Sequence, residues 1–384
     1  MTGVTPLKKI HGERNDSWQT EQCEREKTER GVVPQERAMT EKDHHPTAAR
    51  TTFTSVDVAR KAGVSRTTVS YVLNGNWNGH VSEETRRKVL QAAEELGYSP
   101  HSSAQALRKG QSDEVCLVVD LPLTVHRTEL LVSAQQYAFQ HGYAPVAYFC
   151  YGFSPEQIHT LLLKIFARRP MGIFATASSM TTEQMALAQR MGVDNIVLYS
   201  VEPLEHARTI LLPTKSLGCL AAQHLLERGH RHLGLVQPAD PLHDYGFQQR
   251  LEGMQATIAG MAGVRLDILP LQFDLAAAHT LVETFLTGAD RPTGIYAYND
   301  EYALLLLGAL ADRGKRVPGE VAVVGTDDIS LSEWMRPTLT TIRFDTIPLA
   351  QRAVEMLVRW HTGQPLPEEL SRPLMPQLIA RGST

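Results

Sequence analysis

From Val115 to its end the chain alternates short apolar runs with amphipathic stretches, and that alternation admits few folds. The runs are "VCLVVD", "APVAYF", "MGIFATA", "NIVLYS", "HLGLVQ", "DILPLQF", "GIYAYN" and "VAVVGT"; helical spacing fills 129–141, 155–168, 216–228, 246–260, 275–287 and 300–313 between them. Strand and helix taking turns over about 260 residues predict parallel sheets covered on both faces, and the length suits two lobes better than one. Ligands of such sheets sit beyond the carboxyl ends of the strands, so the residues just after each strand are the ones to inspect.

The preceding region has another texture. Residues 54–98 read as three short helices: Thr54 or Ser55 caps the first, Gly63 ends it in a tight turn, and Ser65 caps the second, which runs to about Leu73. After the loop "NGNWNGH", Ser82 starts a third whose Val89, Ala92, Ala93 and Leu96 recur at helical spacing. Ala59, Ala62, Val64, Val69, Val72 and Leu73 are the expected core of this small all-α module. A helix, glycine turn and second helix form the helix-turn-helix unit, in which the second helix lies in the DNA major groove and its first turn meets the base edges. The same short pattern also occurs in proteins that never touch DNA.

Charge supports a division of labour. Residues 51–110 hold eight basic and five acidic side chains, whereas the whole chain is at −4 and residues 1–50 balance at nine of each. A basic module on an acidic body is what a protein needs if only the module meets a polyanion. Residues 1–50, polar and without period, are expected to be disordered, and Met39 offers a second start. The longest apolar runs, such as "ALLLLGALA", are far short of the roughly 20 residues of a membrane span, and the N-terminus lacks the pattern of a secretory signal, so a cytoplasmic protein is expected. Cys23, Cys116, Cys150 and Cys219 show no metal-binding or disulfide spacing and read as reduced thiols.

Several motifs in one order sharpen this reading. "SVDVARKAGVSRTTVSYVLNG" followed by "VSEETRRKVLQAAEELGYSP" resembles the DNA-binding domain of the LacI/GalR family of bacterial transcription regulators. The resemblance continues through "GHRHLGLV", "NDEYALLLLGALADRGKRVPGEVAVVGTDDI", "RPTLTTIRFD" and the terminal "PQLIARGST". It implies a helix-turn-helix domain at 51–99, a hinge at 100–111, and at 112–384 an effector-binding and dimerising body built as a periplasmic-binding-protein-like pair of α/β lobes. By the same resemblance Arg66, Thr67 and Tyr71 are base-reading positions, with Ser65, Thr68 and Asn74 beside them as DNA contacts. Tyr71 stands where the lactose repressor has arginine, so the preferred half-site differs. "PHSSAQALRKG" matches a hinge that folds into a helix on DNA and enters the minor groove, with Leu107 as the wedge between base pairs and Ala104 and Gln105 as its neighbours. Read from its residues alone, the segment is either a helix or a linker.

In the body, the resemblance aligns Arg250 with a ligand-clamping arginine and Asn299 and Asp327 with polar ligand contacts. A guanidinium, an amide and a carboxylate each make paired hydrogen bonds to adjacent hydroxyls. Phe273 is expected to be the aromatic ring covering a sugar's apolar face, and His126 and Arg127 to line the cleft mouth. Ser200 stands where some sugar binders have Asp, and Thr214 and Lys215 precede Gly218 where the family often has Asp-Asn, which leaves few acceptors for an ordinary hexose. The expected protein is thus a homodimeric repressor of a pseudo-palindromic operator, controlled by a carbohydrate or a derivative.

Two rivals remain at this stage. A sugar-binding protein of the transport type would share the body, but it would carry a secretory signal and lack 53–110. An α/β enzyme would need a motif that is missing here: no GxGxxG follows the first strand, and neither GxxxxGK[ST] nor GxSxG occurs. No catalytic residue, cofactor or metal is expected: adjacent Asp327 and Asp328 point apart, the second as a helix cap, and His224, His230 and His232 read as separate hydrogen-bonded side chains.

Overall fold

The computed structural model describes residues 53–74, 77, 79–98, 110–205, 207–286, 288, 290–370 and 372–384. The expected N-terminal tail, Cys23, and the hinge residues Ala104, Gln105 and Leu107 lie outside them. The chain divides into two compact units, one ending at Tyr98 and the other running to Thr384.

The first unit holds α1 (Ser55–Ala62), α2 (Arg66–Leu73) and α3 (Glu83–Glu95). Thr54 opens α1 through a reciprocal pair with Asp57, whose Oδ2 accepts from the Thr54 backbone N at 2.9 Å and from its hydroxyl at 2.8 Å. Gly63 closes α1 at φ 68°, a left-handed conformation that costs glycine nothing. Ser65 and Ser82 cap the next two helices by accepting from the backbone N of Thr68 and Thr85. The core comprises Val58, Ala59, Val69, Val72, Val89, Ala92 and Ala93, with Ala62, Val64, Leu73, Trp77 and Leu96 packed around it. Val58 is the buried position that the helical spacing did not single out.

The second unit contains two sheets. The first lobe has five parallel strands, β1 (Glu114–Val119), β2 (Ala144–Phe149), β3 (Gly172–Thr176), β4 (Ile196–Ser200) and β5 (Arg208–Leu211), in the order β2-β1-β3-β4-β5. Its helices are α4 (Val125–Gln140), α5 (Pro155–Ala167) and α6 (Thr182–Arg190). After β5 the chain enters the second lobe with α7 (Thr214–Glu227), β6 (His232–Pro238), α8 (Asp244–Ile258), β7 (Arg265–Leu271), α9 (Leu275–Leu286), β8 (Gly294–Tyr296), α10 (Asp300–Asp312), β9 (Ala322–Thr326), the short α11 (Leu331–Trp334) and β10 (Thr340–Arg343). It returns as α12 (Thr346–His361), whose Leu349, Ala353 and Leu357 lie in the first lobe's core, and crosses again to add β11 (Gln377–Ile379) antiparallel to β10. The second sheet is ordered β11-β10-β9-β8-β6-β7.

Three crossings therefore link the lobes, at 212–213, 344–345 and 362–376. The carboxyl ends of β1, β3 and β4 face those of β6, β8 and β9 across a cleft, which is where a parallel sheet leaves loop residues free for a ligand. Among the described residues no helix is long and apolar enough to cross a membrane.

Candidate functional sites: a recognition face and an interlobe cleft

On α2, Arg66, Thr67 and Tyr71 are exposed, while Val69 and Val72 on the other side are buried. Arg66 has no acidic partner among the described residues, unlike Arg60, Lys61, Arg86 and Lys88, which pair with Asp57, Glu95, Glu83 and Glu84. Its guanidinium thus stands at the head of the helix with all its donors uncommitted. Ser65 and Thr68 share a hydroxyl contact of 2.9 Å at the start of α2, and the Asn74 amide donates to the Ser70 carbonyl at 2.6 Å at its end. These three side chains bracket the helix, and the exposed trio lies between them.

The cleft of the second unit encloses about 420 Å3, a volume suited to one small molecule. Arg250 is 7% exposed and is held from several sides. Its Nε donates to Tyr296 Oη at 3.2 Å, its Nη1 to the Gly246 carbonyl at 3.0 Å, and its guanidinium lies 4.2 Å from the centre of the Tyr298 ring. The remaining Nη2 has no hydrogen-bond partner among the described residues. Two glycines set its height. A Cβ on Gly218 of α7 would come within 2.0 Å of the Arg250 carbonyl oxygen, and one on Gly253 of α8 within 2.1 Å of the Lys215 carbonyl, so α7 and α8 cross closely only because both are glycine.

Asn299 directly follows the strand end at Tyr296–Tyr298 and caps α10, its Oδ1 accepting from the Tyr302 backbone N at 3.0 Å. That bond fixes the side chain, and the amide nitrogen has no hydrogen-bond partner among the described residues. Asp327 follows β9 with φ 110°, and Tyr298 has φ 64°. Left-handed backbone at two non-glycine residues costs energy and is tolerated where the surrounding packing enforces it, often at functional sites. Burial pushes the Asp327 carboxyl up to about 7 against the pull of Arg250 and Arg127. His126 lies across the cleft, its Nδ1 3.8 Å from Asp327 Oδ1, too far for a direct hydrogen bond. Burial, with Arg127 beside it, lowers His126 to about 4, so it is neutral at physiological pH.

The first lobe contributes His126 and Arg127 from the first turn of α4, which Thr124 caps at 3.2 Å, so α4 begins four residues earlier than its spacing suggested. Arg127 Nη1 donates to the Pro122 carbonyl at 2.7 Å. Ser200, 7% exposed at the end of β4, accepts from the Glu202 backbone N at 3.3 Å. Around them lie Tyr199, Glu202 and Phe344, which the sequence did not single out. At the start of α7, Pro213 provides no side-chain cap, and Thr214, 5% exposed, buries a hydroxyl that has no hydrogen-bond partner among the described residues.

Two expectations are corrected. Phe273 is outside the cavity lining: it sits just past β7, the edge strand of its sheet, is 57% exposed, and packs its ring 5.0 Å from Tyr302. The aromatic surface facing the cleft belongs instead to Tyr298, Tyr199, Tyr245 and Phe344. Asp328 caps no helix; it accepts from Arg343 Nε at 2.7 Å and lies 2.7 Å from Arg381, tying two loops together. The histidines do separate: His224 contacts Thr384, His230 contacts Thr293 and His232 contacts Asp267.

Residues 55–101 match the bacterial regulatory proteins of the lacI family, and residues 222–384 a periplasmic binding protein-like domain. The chain thus joins a lacI-family regulatory region to a periplasmic binding protein-like domain. Among its relatives, the chain is 28% identical over 338 residues to the HTH-type transcriptional repressor PurR of Haemophilus influenzae, covering 85% of this chain and 97% of that one. A lacI-family transcriptional regulator from Silicibacter pomeroyi superposes with a TM-score of 0.72 at 25% identity, over 86% of this chain and 99% of its own. The lac repressor dimer bound to operator and the anti-inducer ONPF superposes with a TM-score of 0.73 at 25% identity, over 86% and 98%.

Proposed function

We propose that the chain is a homodimeric, cytoplasmic transcriptional repressor whose affinity for a pseudo-palindromic operator is set by a small carbohydrate-like molecule in the interlobe cleft. The observation that carries this reading is the presence in one chain of an exposed recognition face, headed by an arginine with no acidic partner among the described residues, and a buried cleft whose polar groups are fixed yet incompletely satisfied. Arg66, Thr67 and Tyr71 read base edges in the major groove, Ser65, Thr68 and Asn74 hold and flank that helix, and Ala104, Gln105 and Leu107 form the minor-groove hinge contacts. Two-fold protein symmetry is matched by operator symmetry. The dimeric, operator-bound state of the lac repressor relative supports this reading.

In the cleft, Arg250, Asn299 and Asp327 hold the ligand from the second lobe while Ser200, His126 and Arg127 face it from the first. Arg250 Nη2 and the Asn299 amide are donors left over, whereas Asp327 is the main acceptor and is itself held near its protonation point. That excess of donors favours an acceptor-rich sugar derivative over a plain hexose. Ligand binding shifts the lobes between two arrangements, and operator affinity follows from the ligand's preference for one of them. Gel-shift assays of the full chain on its own upstream DNA test the reading: specific retardation at moderate salt supports it, and none with or without candidate sugars and sugar acids sinks it.

A further inference from the structure

Next to the recognition helix, the Tyr71 ring is 39% exposed yet is not free. The His80 imidazole lies on one of its faces, with ring centres 5.0 Å apart and planes within 12°. His80 is itself held in place. The backbone N of His80 and that of Val81 each donate to the Trp77 carbonyl at 3.0 Å, and Trp77 packs against the small core with Val81. From α3, Arg86 lies 4.7 Å over the Trp77 ring while Nη1 pairs with Glu83 at 2.7 Å. A continuous brace thus runs from α3 through Arg86 and Trp77 to His80, and from His80 to Tyr71. Neither ring nitrogen of His80 has a hydrogen-bond partner among the described residues.

We propose that His80 is a positioning residue for Tyr71, so that the recognition helix reads its operator with a braced tyrosine–histidine stack in place of a lone, flexible side chain. This rests on the DNA-binding reading above. A tyrosine has one hydroxyl and cannot make the paired contact by which arginine reads guanine; its information lies in where the ring edge and hydroxyl are aimed. A ring free to rotate would lose that freedom on binding and discriminate little. With one face covered by His80, Tyr71 presents its edge and hydroxyl in a single direction, which suits a thymine methyl or a single base-edge hydrogen bond. Trp77, for which the sequence offered no role, is the anchor that places His80 at the right height.

The test uses the full chain and duplexes that the wild type selects from a randomised inverted-repeat pool. Affinities at about 0.15 M salt are then measured for the selected duplex and all its single base-pair variants, with wild type, His80→Ala, His80→Phe, Tyr71→Ala and the His80→Ala/Tyr71→Ala double. His80→Ala is expected to weaken the selected duplex about 3- to 10-fold, as loss of a ring stack would, and to flatten discrimination at the base pair that Tyr71→Ala also flattens. His80→Phe restores most of both, and in the Tyr71→Ala background His80→Ala has no further effect. A uniform loss over all duplexes that adds to Tyr71→Ala and is not rescued by His80→Phe would make His80 an independent backbone contact and overturn the proposal; unchanged binding by His80→Ala would overturn it too. Both leave the DNA reading standing. If the wild type selects no sequence, that reading fails, and this one with it.

Discussion

The two lobes contribute to the cleft in different ways. In the second lobe the polar groups are positioned before any ligand arrives: Arg250 by Tyr296, Gly246 and the Tyr298 ring, Asn299 by capping α10, and Asp327 by a left-handed backbone after β9. In the first lobe Arg127 and Ser200 are each steadied by a single backbone hydrogen bond. Its buried carboxylate, Asp120, is occupied by the hydroxyls of Thr176 and Ser178. In the proposed function this rigid half anchors the ligand, and the sparsely furnished half selects among ligands and closes on them.

Removing the anchor should have the largest effect. Arg250→Ala removes the guanidinium that Tyr296 and the Gly246 carbonyl hold in the cleft and is expected to lower effector affinity about 30- to 1000-fold, the usual range for truncating a buried, hydrogen-bonded charge. Calorimetry with the effector measures this, and a change under about threefold would mean that the second lobe is no anchor. Gly218→Ala tests the helix crossing that sets the arginine's height. With the Arg250 carbonyl 2.0 Å from the new Cβ, α7 and α8 must separate, at a cost of about 1–3 kcal/mol read by denaturant unfolding. An unchanged midpoint would show the crossing to be slack.

A third test concerns charge within the rigid half. Asp327 and Asp300 are both raised to about 7, chiefly by burial, so the folded state binds more protons than the unfolded one between about pH 4 and 7. Their contribution to stability is therefore full below about pH 4 and falls as pH rises to 7, whereas His126, lowered to about 4, acts in the opposite sense between about pH 4 and 6.5. Relative to wild type, Asp327→Asn should gain thermal stability from pH 5 to pH 8; a constant difference would contradict the raised carboxyl. The smallest effect belongs to Phe273→Ala, expected to leave effector affinity within about twofold because an exposed side chain outside the lining contributes little. A tenfold loss would return Phe273 to the ligand.

What was legible in the sequence follows the same division. Asn299 and Asp327 follow strands directly, where a ligand of such a sheet is expected, whereas Arg250 lies within α8 and was singled out by the family resemblance alone. Phe273 was misplaced because a residue after an edge strand looks, in sequence, like a residue after a central one; only the strand order β8-β6-β7 separates them. The strands at 208–211, 340–343 and 377–379 are three or four residues long, too short for a pattern, and nothing in "TIPLAQRAVEMLVRWH" announces that α12 returns to the first lobe. The buried Thr214 hydroxyl and the Tyr71–His80 stack depend on contacts between separate elements, which periodicity does not encode. In the small module, by contrast, the caps at Thr54, Ser65 and Ser82 and the turn at Gly63 stand where residue type and spacing put them, because capping is a local interaction.

The central claim is that one exposed face binds DNA while a separate cleft controls it. It is tested most directly by titrating the selected duplex and a scrambled duplex of equal composition with wild type, Arg66→Ala and Arg250→Ala at about 0.15 M salt. The account predicts that wild type prefers the selected duplex by at least about 1000-fold, that Arg66→Ala loses about tenfold or more of that preference, and that Arg250→Ala keeps it. The absence of any preference, or a loss with folded Arg250→Ala as large as with Arg66→Ala, would contradict it.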